Sequence, residues 1–154
     1  MANPKPLPSC YADDALVPLS PTRPLVLVTA AVLIDNENHI LLTQRPDGKP
    51  MAGLWEFPGG KVRENELPEE ALVRELREEL GIKTAPGCLF PLTFASYPYP
   101  EFHLLMPIYA CHVWQGKPRP HEGQGLAWVK KEDVHKYAMP PADSRVLPVL
   151  LGLI

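Results

Sequence analysis

Residues 60–82 read GKVRENELPEEALVRELREELGI, and this stretch decides both the fold and the chemistry. From Glu66 to Leu80 it sets six glutamates against two arginines, Arg74 and Arg77. Leu72, Val73, Leu76 and Leu80 recur at helical spacing, a stripe suited to packing on a sheet. Pro68 suits a first helical turn, and Gly81 stands where a helix ends on a left-handed residue. A short helix between these two residues is predicted. Glu75, Glu78 and Glu79 lie at i, i+3 and i+4, so they share one face over about one turn. Like charges so placed repel by roughly 0.2–0.5 kcal/mol per pair. A divalent cation turns that repulsion into attraction. Hard cations such as Mg²⁺ take carboxylate oxygens and share them with substrate phosphates. The polar face therefore reads as a metal platform, the alternative being a solvated acidic helix.

The spacing Gly60-x5-Glu66-x7-Arg74-Glu75-Leu76-x-Glu78-Glu79-x-Gly81-Ile82 resembles the Nudix box at all nine of its defined positions, over 23 of the 154 residues. The flanking Leu54-Trp55-Glu56-Phe57-Pro58-Gly59-Gly60-Lys61 looks like the lead-in to the box in the MutT branch, which hydrolyses oxidised nucleoside triphosphates. The resemblance implies metal ligands at the Gly59 carbonyl, Glu75, Glu78 and Glu79, with Glu79 the most direct carboxylate. The cofactor implied is Mg²⁺, with Mn²⁺ as a substitute. Glu122, just before Gly123-Gln124-Gly125, resembles the downstream loop glutamate that completes such a site; a plain exposed glutamate is the alternative. Gly60, Glu66, Arg74 and Gly81 are expected to be structural, Arg74 orienting the glutamates and Glu66 closing the loop over the helix start. Glu75 is the expected general base and Glu122 the other candidate.

Substrate recognition falls to other segments. Thr43-Gln44-Arg45 ends a strand where the MutT family places an arginine that contacts the nucleotide, and Arg45 can fork onto a phosphate or lie over a base. A surface charge is the alternative. Glu56, Phe57, Pro58 and Gly59 are expected to line the base pocket, Phe57 as an apolar wall or as simple core; Trp55 reads as packing. Met139-Pro140-Pro141-Ala142-Asp143 resembles the family motif before the last helix. Enzymes specific for 8-oxoguanine often carry asparagine at its final position, which offers a donor and an acceptor together. Ionised aspartate only accepts. Related members with Pro-Ala-Asp act on cytidine triphosphates and their oxidised forms. Asp143 is expected to read the base, or else to cap the helix. Phe102 stands where the family loop can carry an arginine, and a phenylalanine there stacks or packs.

Composition bounds the class. A chain of 154 residues with 45% apolar and 21% charged content suits one globular domain. A net charge of −3 gives no basic footprint for a nucleic-acid polymer. Cys10, Cys88 and Cys111 show no paired spacing, which suggests a reducing compartment and no zinc site. The start lacks the basic cap and apolar core of a signal peptide, and the apolar run 25–34 is too short to span a bilayer. A cytoplasmic protein with no membrane partner is expected, a monomer being the preferred state. Prolines 4, 6, 8, 18, 21 and 24 mark residues 1–23 as an extended tail before a Nudix domain over 24–154.

The rest reads as strands around the box helix. Residues 25–34 suit a central strand, and 35–38 a turn leading into a second strand over 39–44, the two forming a hairpin. Residues 46–53 read as a loop, 89–97 and 103–114 as two strands, 126–129 as a short one and 131–136 as a helical turn. A final helix is expected over 144–151, kinked or delayed by Pro148. Strands flanked by two helices fit an α/β/α sandwich, and the resemblance implies the same fold, with a mixed sheet. The expected activity is Mg²⁺-dependent hydrolysis of nucleoside triphosphates such as 8-oxo-dGTP to a monophosphate and pyrophosphate, which would cleanse the nucleotide pool and avoid mutation. Cytidine-type triphosphates are the alternative substrates. A nucleotide sugar, or a non-catalytic sensor on the same fold, are the further readings.

Overall fold

A computed structural model describes residues 23–154. The tail expected over 1–23 lies outside the described residues, Arg23 excepted. Seven strands and two α-helices follow in order: β1 (Leu25–Leu33), β2 (His39–Gln44), β3 (Trp55–Glu56), β4 (Gly59–Lys61), α1 (Pro68–Leu80), β5 (Phe90–Pro98), β6 (His103–Cys111), β7 (Gly125–Lys130) and α2 (Pro141–Leu153). A 3₁₀ turn over Lys131–Lys136 precedes α2.

The strands form two sheets. One is mixed, with order β4-β1-β6-β5, and the other has order β3-β2-β7. β1 runs parallel to β6 and antiparallel to β4, so both of its edges are used. The expected β1–β2 hairpin is therefore not a hairpin. Its turn exists, with Asp35 Oδ1 accepting from the amides of Glu37 (2.9 Å) and His39 (2.8 Å). Beyond one bridge, Ile34 to Ile40, the chain crosses into the second sheet, where β2 pairs with β7 and β3. A turn signal fixes a reversal of direction, and the competing edges decide the partner.

Alternation along β1 sends side chains to two cores. Ala31 and Leu33 face α1 and join Leu72, Leu76, Leu80 and Tyr109. Ala30 and Val32 face α2 and join Ala142, Val146, Leu147 and Leu150. Helices thus cover both faces of the β layer, the α/β/α sandwich of the sequence reading. The fully buried leucines of α1 contribute roughly 2 kcal/mol each through burial. That packing holds the acidic face of the helix in place.

Helix α1 begins at Pro68 and ends on Gly81 at φ 69°, whose amide donates to the Arg77 carbonyl (3.0 Å). Glu70 reaches back to the Leu67 amide (2.9 Å), and the Tyr109 hydroxyl donates to Glu69 (3.0 Å), tying the first turn to β6. Helix α2 starts three residues earlier than expected, because Pro140 supplies an extended cap and Pro141 fits the first helical position. Asp143 accordingly lies inside the first turn and caps nothing. Pro148 neither breaks nor delays the helix. It sits on the exposed side, where the carbonyl it leaves unpaired can reach water.

Candidate active site

Strand β4 brings the loop before the box against α1. A Cβ at Gly59 would lie 2.0 Å from the Thr29 carbonyl oxygen, and one at Gly60 2.3 Å from the Glu75 carboxyl carbon. Only glycine allows β1, β4 and Glu75 to approach this closely. Ladder bonds form on either side, from Ala31 N to Pro58 O (2.8 Å) and from Val62 N to Leu27 O (3.0 Å). Gly59, paired with Ala30, falls between them, so its amide and carbonyl point away from β1. That amide donates to Glu79 Oε2 (3.3 Å).

Arg74 organises the acidic face. Its guanidinium donates to Glu66 (2.7 and 2.8 Å), Glu75 (2.8 Å), Glu78 (3.3 Å) and the Lys61 carbonyl (3.0 Å). Glu66 also accepts from the Arg63 amide (2.9 Å), which closes the loop ahead of the helix. The Arg74 bond, with the Arg63 amide, pulls the Glu66 carboxyl down to about 2.

Glu79 behaves in the opposite way. Burial first, then the fields of Glu75 and Glu122, push its carboxyl up to about 8 against the pull of the Gly59 amide. Glu75 is also raised, by burial and then by Glu78 and Glu122, although Arg74 draws it down. Glu79 and Glu122 line one cavity of about 410 Å³ together with Arg45 and Glu56. Glu78 stands outside it, half-exposed and paired to Arg74 and Arg63. Among the described residues no three acidic, His or Cys side chains converge to chelating distance, and Arg74 holds one oxygen each of Glu75 and Glu78. The donor set is nevertheless that of a hard cation: carboxylates only, close enough to raise one another's proton affinity.

A second cavity, of about 340 Å³, adjoins the first through Arg45, Pro50 and Glu56. Phe57 lines it and is also 4% exposed core, so the ring is at once cavity wall and core. Gly59 and Asp143 line it as well, whereas Pro58 is buried with its carbonyl spent on Ala31. Trp55 packs edge-on against Tyr137 at 5.2 Å. Asp143 is 5% exposed; burial first, then Glu56, raise its carboxyl to about 7, with Arg45 opposing. Glu56 is raised by burial and held down by Arg45.

Sequence reasoning missed Tyr99. Its ring stacks obliquely between Tyr97 (4.8 Å) and Phe102 (5.1 Å), and its hydroxyl accepts from the Ala142 amide (3.2 Å). It thereby holds the first turn of α2 beside the cavity. The Tyr97-Pro98-Tyr99-Pro100 turn was the available signal: two aromatics at a rigid reversal are poised to face one site.

A fold of this topology with a glycine-backed glutamate helix defines a Nudix hydrolase, and residues 29–148 match the model of the NUDIX domain. The chain belongs to that family. It is 38% identical to the CTP pyrophosphohydrolase of Escherichia coli over 83% of this chain and 93% of that one. It is 37% identical to the 8-oxo-dGTP diphosphatase of the same organism, over 82% and 98%. Its fold matches the solution structure of the E. coli ORF135 protein at a TM-score of 0.74, with 34% identity over 85% of this chain and 91% of that one. It matches a MutT from a study of the Aliivibrio salmonicida and Vibrio cholerae proteins at 0.72, with 31% identity over 84% and 99%.

Proposed function

We propose that this protein hydrolyses nucleoside triphosphates, oxidised ones such as 8-oxo-dGTP among them, to a monophosphate and pyrophosphate. The observation that carries the reading is the junction of the two cavities. Glu79 and Glu122 face one side of the Arg45–Glu56 pair, and a base-sized pocket with a buried carboxyl faces the other. The likeness to a diphosphatase and a pyrophosphohydrolase supports the same chemistry.

Glu75, Glu79 and Glu122, with the Gly59 carbonyl, would hold a divalent cation, Mg²⁺ or Mn²⁺, with Glu78 at its edge. When bound it would neutralise phosphate charge and activate water. Arg74 keeps Glu75 and Glu78 oriented. Glu75 accepts the proton of the attacking water through Oε2, the oxygen that Arg74 does not hold; Glu122 is the alternative acceptor. Arg45 carries the charge that meets the polyphosphate. Such an enzyme would act as an antimutator in the cytoplasm, cleansing the precursor pool for DNA synthesis. No described helix is long and apolar enough to cross a membrane.

The second reading, a cytidine-type triphosphate, is favoured by Asp143. Ionised, it accepts from the amino group of cytosine. Protonated, it offers the donor–acceptor pair that O6 and N7–H of 8-oxoguanine require. Turnover of dGTP, 8-oxo-dGTP, dCTP and 5-hydroxy-dCTP with Mg²⁺, read as pyrophosphate release, tests both. No release from any of the four would end the proposal.

A further inference from the structure

Residues 112–124 join β6 to β7 and carry Glu122 back to helix α1. Their main chain closes on the carbonyl end of that helix. Arg119 N donates to Leu80 O (3.0 Å) and His121 N to Glu79 O (3.0 Å). These contacts fix the path of the loop as far as residue 121. Glu122 then needs its own restraint.

Gln124 supplies one. The residue is 9% exposed, and its side-chain amide makes two bonds with opposite demands. Oε1 accepts from the Glu122 amide (2.8 Å), and Nε2 donates to the Glu79 carbonyl (2.9 Å). The partners define the orientation of the amide, because an N–H must meet an acceptor and a carbonyl must meet a donor. Gly123 lies between at φ 72°, a left-handed turn that lets the side chain fold back on Glu122. Glu79, Glu122 and Gln124 all line the same cavity.

We propose that Gln124 is a positioning residue: its side-chain amide ties the main chain of Glu122 to that of Glu79 and so sets the spacing of the two carboxylates. The inference rests on the proposed role of Glu122 and assigns Gln124 no contact with substrate. A group that orients ligands through a hydrogen bond is worth about 10- to 100-fold in affinity or rate.

Gln124→Met keeps the length of the side chain and removes both bonds. In the metal-free protein, hydrogen exchange at the Glu122 amide should speed up while amides of β1 and β6 keep their protection. Mn²⁺ binding, followed by electron paramagnetic resonance, should weaken about 10-fold or more. The kcat should fall by a similar factor with KM within about twofold. In a Glu122→Gln background the same substitution should cost nothing further. Wild-type Mn²⁺ affinity and kcat in Q124M would overturn the proposal. So would an equal loss in both backgrounds, which would mean that Gln124 acts without Glu122. Glu122→Gln alone at the full rate would instead sink the role of Glu122, and the clamp with it. Should Q124M fail to fold, Gln124→Asn keeps the amide on a stem too short to span both partners and is held to the same outcomes.

Discussion

Arg45 grips Glu56 through two guanidinium nitrogens, Nε and Nη2, each 3.0 Å from Oε2. The pair stands at the doorway between the two cavities, and each partner shifts the other's neighbours. Arg45 holds down the carboxyls of Glu56 and Asp143 against burial. Arg45→Ala removes a positive charge and leaves Glu56 facing the polyphosphate path. A charged hydrogen bond is worth roughly 1.5–3 kcal/mol, so KM for the triphosphate should rise about 10- to 100-fold, more than kcat falls. Arg45→Lys keeps the charge without the fork and should recover only part. Steady-state kinetics decide, and an unchanged KM would place Arg45 outside the binding path.

Glu79→Gln tests the half-buried acid of the array. With its folded carboxyl near 8 against an ordinary value of 4.5, the folded state binds the proton more tightly than the unfolded chain. Stability therefore falls as pH rises from about 4.5 to about 8. The glutamine variant should unfold at a higher temperature than the parent at pH 8.5 without metal, and at a similar one near pH 4.5. Mg²⁺ should raise the melting temperature of the parent at pH 8.5 and leave the variant unmoved. Its kcat should drop by on the order of 10³-fold. Full activity in E79Q would refute the catalytic reading.

Asp143→Asn separates base recognition from chemistry. The buried carboxyl of Asp143 is raised to about 7 from 3.8. It thus loses stability for the fold across that window as pH rises, and asparagine removes the loss. The variant should be the more stable at pH 8.5, by thermal melting. Its preference should shift toward 8-oxo-dGTP at alkaline pH, where the parent carries an acceptor only. A ratio of kcat/KM for the oxidised purine over dCTP that does not move would show that Asp143 does not face the base.

The two glycines before α1 should answer differently to alanine. At Gly59 the new Cβ meets fixed backbone, the Thr29 carbonyl. Overpacking there should cost about 1–3 kcal/mol, read as a lower melting temperature. At Gly60 it meets the far end of Glu75, which can swing aside. G60A should keep most of its stability and lose activity. Equal stability losses in both variants would contradict this contrast.

Much of the site could be read directly from residue order, because α1 displays its carboxylates at fixed angles. The sequence places Glu75, Glu78 and Glu79 on one face, and only packing shows that Glu79 is half-buried and Glu78 exposed. The helix ends at Pro68 and Gly81 were legible for the same local reason. β3 and β4 were not, since two- and three-residue strands carry no periodicity and exist only through their partners β2 and β1. The start of α2 was obscured by Pro140 and Pro141, which read as a break and act as a cap. Tyr99 joins the pocket through a contact with Ala142 across 43 positions, a distance at which local pattern is silent.

The second cavity and the glutamate array share Gly59 and the Arg45–Glu56 pair, and otherwise draw on different segments. Asp143, Tyr99 and Phe102 belong to α2 and the β5–β6 turn, whereas Glu75 and Glu79 lie on α1 and Glu122 on the β6–β7 loop. On the proposed reading, nucleobase preference would change through a few positions outside α1, with the glutamates of the array left in place. A lineage built on this scaffold is free to diversify its diet without reinventing its bite.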